Sequence, residues 1–276
     1  ARYMDEVERV LYNNVLTGVS LSGDKYTYQN PLNTDKPDRW EWHVCPCCPP
    51  MFLKIMAAMP GYIYAYQGDN VYVNLFIGSE VRVPVGKSNS VRLKQLTSYP
   101  WHGAVSIQVN PDKASTFSMK VRIPGWAQGT ENPYDLYQSN LKAPVKLKVN
   151  QEDVLLRIVD GYAEINREWK KGDHIELELP MQPRLITANK AVENLRGQVA
   201  LASGPIIYCF EDANNPELQT FKLQAQTPLE LSHDSNLLNG VNIIKCQGDI
   251  PAKAIPYYAV ANREESHSYK VWIPQK

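Results

Sequence analysis

The chain has 276 residues, enough for one large domain or two of ordinary size. Lys and Arg number 29, as do Asp and Glu, so the formal charge is zero and nothing in the composition favours nucleic acid as a partner. No apolar run reaches the length that a membrane-spanning helix needs.

The opening stretch, ARYMDEVERVLYNNVL, has acidic residues where a signal peptide carries its basic region, and it has no apolar core segment. It begins in helical pattern without Met, which predicts a piece of a longer protein. Residues 1–17 are expected to form a helix. Met4, Val7, Leu11 and Val15 mark one face, Asp5, Glu6, Glu8 and Arg9 cover the others, and Gly18 helps to end it. A Gly23–Asp24 turn then leads to a short strand, Tyr26 to Gln29. Residues 31–44, PLNTDKPDRWEWHV, read as a Pro- and charge-rich loop carrying Trp40 and Trp42. A second helix is expected from about Pro50 to Met59, with Phe52, Ile55, Met56 and Met59 at i, i+3, i+4 and i+7. Pro suits its first turn, and Pro60–Gly61 is expected to end it.

After Gly61 the pattern changes. YIYAYQ, NVYVNLFI, EVRVPV, SVRLKQLTSY, AVSIQVN, FSMKVRIPGW, VKLKVN, DVLLRIV, YAEINREW and HIELELPM are short, β-branched or aromatic, and mostly alternating. Turn signals such as QGDN, NPDK and KKGD separate them, the pattern of an antiparallel sandwich. RGQVALASGPIIYCFE continues it, residues 211–250 are less regular, and AIPYYAVANRE and SYKVWIP supply the last strands. Trp126 and Trp169 read as core.

Three of the five cysteines crowd into HVCPCCPPMF, residues 43–52: Cys45, Cys47 and Cys48. Cys209 and Cys246 stand in apolar runs and read as buried core thiols. A disulfide framework would space cysteines in pairs, and this chain does not. Cys47 and Cys48 precede a helix start, where free N–H groups and the helix dipole favour thiolate over thiol. In such settings a thiol falls from about 8.5 toward roughly 3.5–7.5. A thiolate there suits either zinc binding or covalent catalysis. Zinc takes four ligands, and the cluster offers three thiols with His43 as a strained fourth. Incidental cysteines, or a Cys45–Cys48 disulfide, are the plain alternatives.

CPCCPP, followed by an amphipathic helix and GYIYA, resembles the cysteine signature of glycoside hydrolase family 127. The lead-in ERVLYNNVLTGVSLSGDKYTYQNPL resembles the same family, as do LTSYPWHGAVSIQV, MKVRIPGWA, WKKGDHIELELPM and RGQVALASGPIIYCFE in that order. The resemblance implies a mainly β chain: an antiparallel β-sandwich region preceded by the last helices of a truncated (α/α)6 barrel. Residues 1–60 would then be the barrel remnant with the Cys cluster, and 61–276 the sandwich region, in two subdomains dividing near 180–195. It implies the C-terminal part of a retaining glycosidase resembling β-L-arabinofuranosidases, in which a zinc-bound cysteine thiolate attacks the anomeric carbon of an oligosaccharide.

Residue by residue, Cys47 matches the nucleophile and zinc ligand, Cys48 the second zinc ligand, Cys45 the nearby third cysteine, and Tyr28 a sugar-contacting tyrosine. Met51 stands where the family usually has Asn. The remaining ligands and the acid/base Glu lie upstream in the family; of Glu6, Glu8 and Glu41, the glutamates ahead of the cluster, the first two lie on polar helix faces and do not fit that motif. The chain alone is therefore expected to be inactive, to bind zinc weakly, and to self-associate through uncovered helix faces. A different class of reading is a non-catalytic carbohydrate-binding or accessory sandwich, with Trp40, Trp42 and Trp101 stacking on sugar rings. A structural zinc module is disfavoured by the ligand count. The sugar, the linkage and the localisation are not legible in the sequence.

Overall fold

From Arg2 to Gly18 the chain is helical throughout, though not as one α-helix. The computed structural model describes residues 1–132, 134–248 and 250–276. Helix α1 (Arg2–Val10) widens into a π turn at Leu11–Val15 and tightens into a 3₁₀ turn at Leu16–Gly18. The Asn13 and Thr17 side chains donate to carbonyls four residues back, on Arg9 and Asn13. Such bonds compete with the helical ladder, and the ladder is irregular where they occur. The expected polar face is also corrected. Glu8 is only 1% exposed, and Asn13 and Thr17 are buried, whereas of the expected apolar face Leu11 is buried and Met4, Val7 and Val15 are half-buried. Asn13 is buried by polar docking: it donates to the Pro205 carbonyl at 2.8 Å and accepts from the Ile207 N–H at 2.7 Å.

Helix α2 (Pro49–Ala58) starts on Pro, where the missing N–H costs nothing. Pro60–Gly61 does not release the chain into a loop, because Pro60 opens a further short helix, α3 (Pro60–Ile63). Pro is as favourable at a first helical position as it is disruptive inside a helix. No helix among the described residues is long and apolar enough to cross a membrane.

The rest is mainly β, and the contacts divide the chain into two units. The first comprises Ala1–Asp5, Ala57–Gln128 and Lys142–Met181. It holds a six-stranded sheet ordered Glu152–Asp153, Lys146–Val149, Asp173–Glu178, Ala104–Pro111, Asn89–Thr97, Ser79–Val85. Its five-stranded sheet runs Ile158–Val159, Tyr162–Trp169, Ser115–Arg122, Asn70–Val73, Tyr64–Gln67. Alternation decides which residues turn inward: Val91 and Leu93, and Val105, Ile107 and Val109, are buried while their neighbours are not. Trp126 and Trp169 are core, as their context predicts. One pairing departs from the antiparallel expectation, since Asn70–Val73 runs parallel to Ser115–Arg122. DVLLRIV forms no continuous strand: only Glu152–Asp153 and Ile158–Val159 pair, and Leu155 between them is exposed.

The second unit comprises Glu6–Met56, Gly129–Leu141 and Gln182–Lys276. Its main sheet follows the order Tyr137–Ser139, Arg184–Ala188, Gln198–Ser203, Ile206–Glu211, Ala252–Pro256, Val241–Cys246, Leu229–Asp234. Gln198–Ser203 and Ile206–Glu211 are buried almost throughout, which explains their continuous apolar runs. The region 211–250, irregular as sequence, supplies the Leu229–Asp234 and Val241–Cys246 pair. Asn33–Thr34, from the charge-rich loop, pairs with Tyr269–Lys270 and so attaches that loop to the main sheet. A separate two-stranded ribbon joins Lys25–Tyr26 to Trp40–Glu41, shorter than the strand expected from Tyr26 to Gln29.

Candidate functional site

The cysteine segment ends where α2 begins. Cys47 and Cys48 are exposed, and their sulfurs stand 3.8 Å apart. The Cys48 carbonyl accepts from the Met51 N–H at 2.9 Å, which seats the two thiols at the first turn of α2. The Cys45 carbonyl accepts from the Cys47 N–H at 3.0 Å, a tight turn that presents adjacent thiols on one side. All five cysteines are free, so the Cys45–Cys48 disulfide is not formed; Cys209 and Cys246 are buried as predicted.

Beside the thiols stands an aromatic cluster. Tyr28, Trp40 and His43 are mutual neighbours, with ring centroids 5.3 Å apart for Tyr28–Trp40 and Tyr28–His43 and 5.5 Å for Trp40–His43. The ribbon register explains the grouping, because it pairs Tyr26 with Trp40 and brings both arms of the loop together. His43 Nδ1 lies 3.1 Å from the Glu41 carbonyl, which can only accept, so that nitrogen carries the proton. Nε2 lies 3.2 Å from the Tyr28 hydroxyl, which also reaches the Cys45 carbonyl at 3.5 Å. Trp42 packs edge-on against Tyr26 at 5.8 Å. Trp40 and Trp42 are exposed, whereas Trp101 lies half-buried in the first unit.

Partial desolvation raises the Tyr28 phenol above its usual value, and the negative potential of Cys47, Cys48 and Cys45 adds to that. The Cys48 thiol is also pushed up, first by its hydrogen bond with Cys47, then by desolvation and the neighbouring thiolates. For Cys48 this reverses the sequence-based expectation of a lowered value at the helix start.

Three ligands do not converge on their own. No group of three or more His, Cys, Asp or Glu side chains is placed to hold a metal among the described residues. His43 is held by Tyr28 and the Glu41 carbonyl, Glu6 pairs with Arg9 at 3.0 Å, and Glu8 is buried. Cys47 and Cys48 nonetheless suit one metal as a pair. Two Zn–S bonds of about 2.3 Å at the tetrahedral angle place sulfurs about 3.8 Å apart.

One participant has no counterpart in the sequence reading: Arg39. Its guanidinium donates to the Val260 carbonyl at 2.8 Å, the Ala261 carbonyl at 3.1 Å and the Thr17 carbonyl at 2.9 Å, and to Thr27 Oγ1 at 3.3 Å. Desolvation of the half-buried guanidinium lowers its pKa to about 10. An Arg in a charged loop is ordinarily solvated, and nothing in PDRWEW marks this one otherwise.

The comparisons with known proteins follow the chain from end to end. The model for the GH127 β-L-arabinofuranosidase catalytic domain matches residues 1–61, the GH127 middle-domain model residues 70–181, and the family 127 C-terminal-domain model residues 183–274. All three describe one group of carbohydrate-cleaving enzymes. The chain belongs to glycoside hydrolase family 127.

The non-reducing end β-L-arabinofuranosidase of Bifidobacterium longum subsp. longum is 29% identical over 312 residues, covering 95% of this chain and 44% of that protein. The structure of a GH127 β-arabinofuranosidase superposes with a TM-score of 0.92 at 35% identity, over 100% of this chain and 46% of that one. A GH127 β-L-arabinofuranosidase from Geobacillus stearothermophilus gives 0.89 at 34% identity, over 99% and 46%. The chain thus spans less than half the length of these relatives.

Proposed function

We propose that this chain is the C-terminal portion of a retaining glycoside hydrolase acting on β-L-arabinofuranosides, with Cys47 as nucleophile and Cys47 and Cys48 as two ligands of a zinc ion. The observation that carries the reading is the exposed pair of sulfurs 3.8 Å apart at the first turn of α2, inside the segment matched by the family's catalytic-domain model. In this reading α1 to α3 are the last helices of an (α/α)6 barrel. Residues 61–276 are then two sandwich subdomains dividing near 180–195. The remaining zinc ligands and the acid/base carboxylate come from sequence outside this chain.

Bound zinc supplies the positive charge that keeps both sulfurs as thiolates near neutral pH. Cys47 Sγ attacks the anomeric carbon. The C–S bond forms as the glycosidic C–O bond breaks, and the leaving oxygen takes the carboxylic acid's proton. Water then attacks the same carbon, its proton passes to the carboxylate, and the C–S bond breaks to return the thiolate. Two displacements at one carbon leave its configuration unchanged. Tyr28, Trp40 and His43 stand beside the thiols as the wall against which a furanose ring lies. Trp40 lies on the ribbon beside the thiols and not on a strand of the larger sheets, which favours the catalytic reading over an accessory sandwich.

The test is zinc content and turnover of an aryl β-L-arabinofuranoside, measured on the full-length protein and on this chain side by side. The expected result is about one zinc and activity in the long form, and little of either here. Cys47→Ser in the long form is expected to abolish turnover. One zinc in this chain alone would make Cys45 and His43 ligands and sink the proposed set. No zinc in either form would leave the nucleophile without its metal and favour the accessory reading. Light scattering on this chain is expected to show self-association, since Met51 and Leu53 of α2 are exposed together with Trp40 and Trp42.

A further inference from the structure

No residue from Leu21 to Cys48 is buried, yet this segment carries Tyr28, Trp40, His43 and all three clustered thiols. Apolar packing therefore does not set its position. Its regular structure amounts to three two-residue strands. What holds it is a set of polar bonds to the C-terminal part of its own unit. The Pro31 carbonyl accepts from the hydroxyls of Tyr257 at 3.0 Å and Tyr269 at 2.8 Å. Asn33 Oδ1 accepts from the Val271 and Trp272 N–H groups. The Leu21 N–H donates to Asn262 Oδ1 at 2.8 Å. Arg39, directly before Trp40, reaches the Val260 and Ala261 carbonyls in one direction and Thr17 and Thr27 in the other.

The receiving loop is itself set from beneath. Ala261 adopts φ of 55°, a left-handed conformation that a residue with a Cβ holds only when its surroundings impose it. Glu211, fully buried, accepts from the Ala261 N–H at 2.9 Å through Oε1 and pairs with Arg263 through Oε2. Asn262 Nδ2 donates to the Ala259 and Val260 carbonyls. The carbonyls that Arg39 uses are thus fixed before Arg39 arrives. A planar guanidinium spans several such acceptors at once, which an ammonium cannot do.

We propose that Arg39 is a positioning residue for the thiol site: with the Glu211-braced loop Tyr257–Arg263 as its socket, it clamps the ribbon that carries Tyr28, Trp40 and His43 beside Cys47. This rests on the reading of Cys47 as the nucleophile. It also gives the C-terminal part of the second unit a role in catalysis, because the socket lies there.

The test uses two readouts. In the full-length enzyme, Arg39→Ala is expected to lower kcat on an aryl β-L-arabinofuranoside by about 100-fold, the usual consequence of an ångström-scale misplacement. Arg39→Lys keeps the charge without the fork and is expected to recover only part of that loss. Ile244→Val, in the core of the same sheet and away from the loop, is the control for loss of stability alone and is expected to leave kcat within a few-fold. In this chain, hydrogen exchange of amides 20–48 is expected to accelerate in Arg39→Ala while the amides of Gln198–Ser203 keep their protection. Wild-type kcat in Arg39→Ala, full recovery in Arg39→Lys, an equal loss in Ile244→Val, or unchanged exchange over 20–48 would each overturn the clamp. Failure of the nucleophile reading looks different: Cys47→Ser would retain turnover while the exchange result still reports on Arg39.

Discussion

Glu131 and Arg184 show what a single residue pair decides here. They are 6% and 2% exposed, and Arg184 donates to both carboxylate oxygens, through Nε at 2.6 Å and Nη2 at 2.9 Å. Removing one partner leaves a buried charge uncompensated, so Glu131→Ala is expected to cost about 3–5 kcal/mol in denaturant unfolding. A cost below 1 kcal/mol would mean that water reaches the site. The five cysteines separate on the same principle. Desolvation raises the Cys246 thiol to about 12 and pushes Cys209 up as well. At pH 8 a disulfide reagent is therefore expected to titrate Cys45, Cys47 and Cys48 in the folded chain, and the other two only after denaturation. Five fast thiols, or none, would contradict that assignment.

At the level of elements, the alternating strands were legible because one face of each is buried. Alternation in SVRLKQLT or AVSIQVN then reports the buried face directly. Where neither face is buried, as in DVLLRIV, the same apolar content misled. The close approach of backbones was not legible. At Gly103 an added Cβ would lie 2.0 Å from the Leu179 carbonyl oxygen, and Gly103 and Leu179 share a backbone hydrogen bond of 3.0 Å. Gly103→Ala must push strand ends apart and is expected to cost about 1–3 kcal/mol, read as a lowered thermal midpoint. An unchanged midpoint would mean that these strand ends of the six-stranded sheet yield freely. The helical stretch Arg2–Gly18 was legible as helix but not in its facing, because its π turn meets the second unit's sheet through the polar side chain of Asn13.

For the whole molecule, alkaline pH is the informative variable. Cys246, Tyr257 and Tyr258 are each raised to about 12, and Cys209, Tyr208 and Tyr269 are raised too, mainly by desolvation. Unfolded thiols and phenols ionise near about 8.5 and 10. Above those values the unfolded chain binds fewer protons than the folded one, so stability falls as pH rises. The contribution is fully present below about pH 8.5 and is lost progressively toward about pH 12. Thermal midpoints are expected to be level from pH 7 to about 8.5 and then to decline, with the second unit, which holds all six groups, melting first. A level curve to pH 11 would show that these side chains are hydrated.

By itself the sequence determined the mainly β character, the turn-bounded strands, the core tryptophans and the crowding of thiols ahead of α2. Each depends on local periodicity or on residues adjacent in the chain. Only the tertiary structure decided that Glu8 faces inward, that two strands pair in parallel, and that Arg39 spans from the thiol-bearing loop to carbonyls more than two hundred residues away. Polar bonds between distant segments leave no period in a sequence. They depend on where the backbone carries each donor and acceptor, and that follows from the sheet topology.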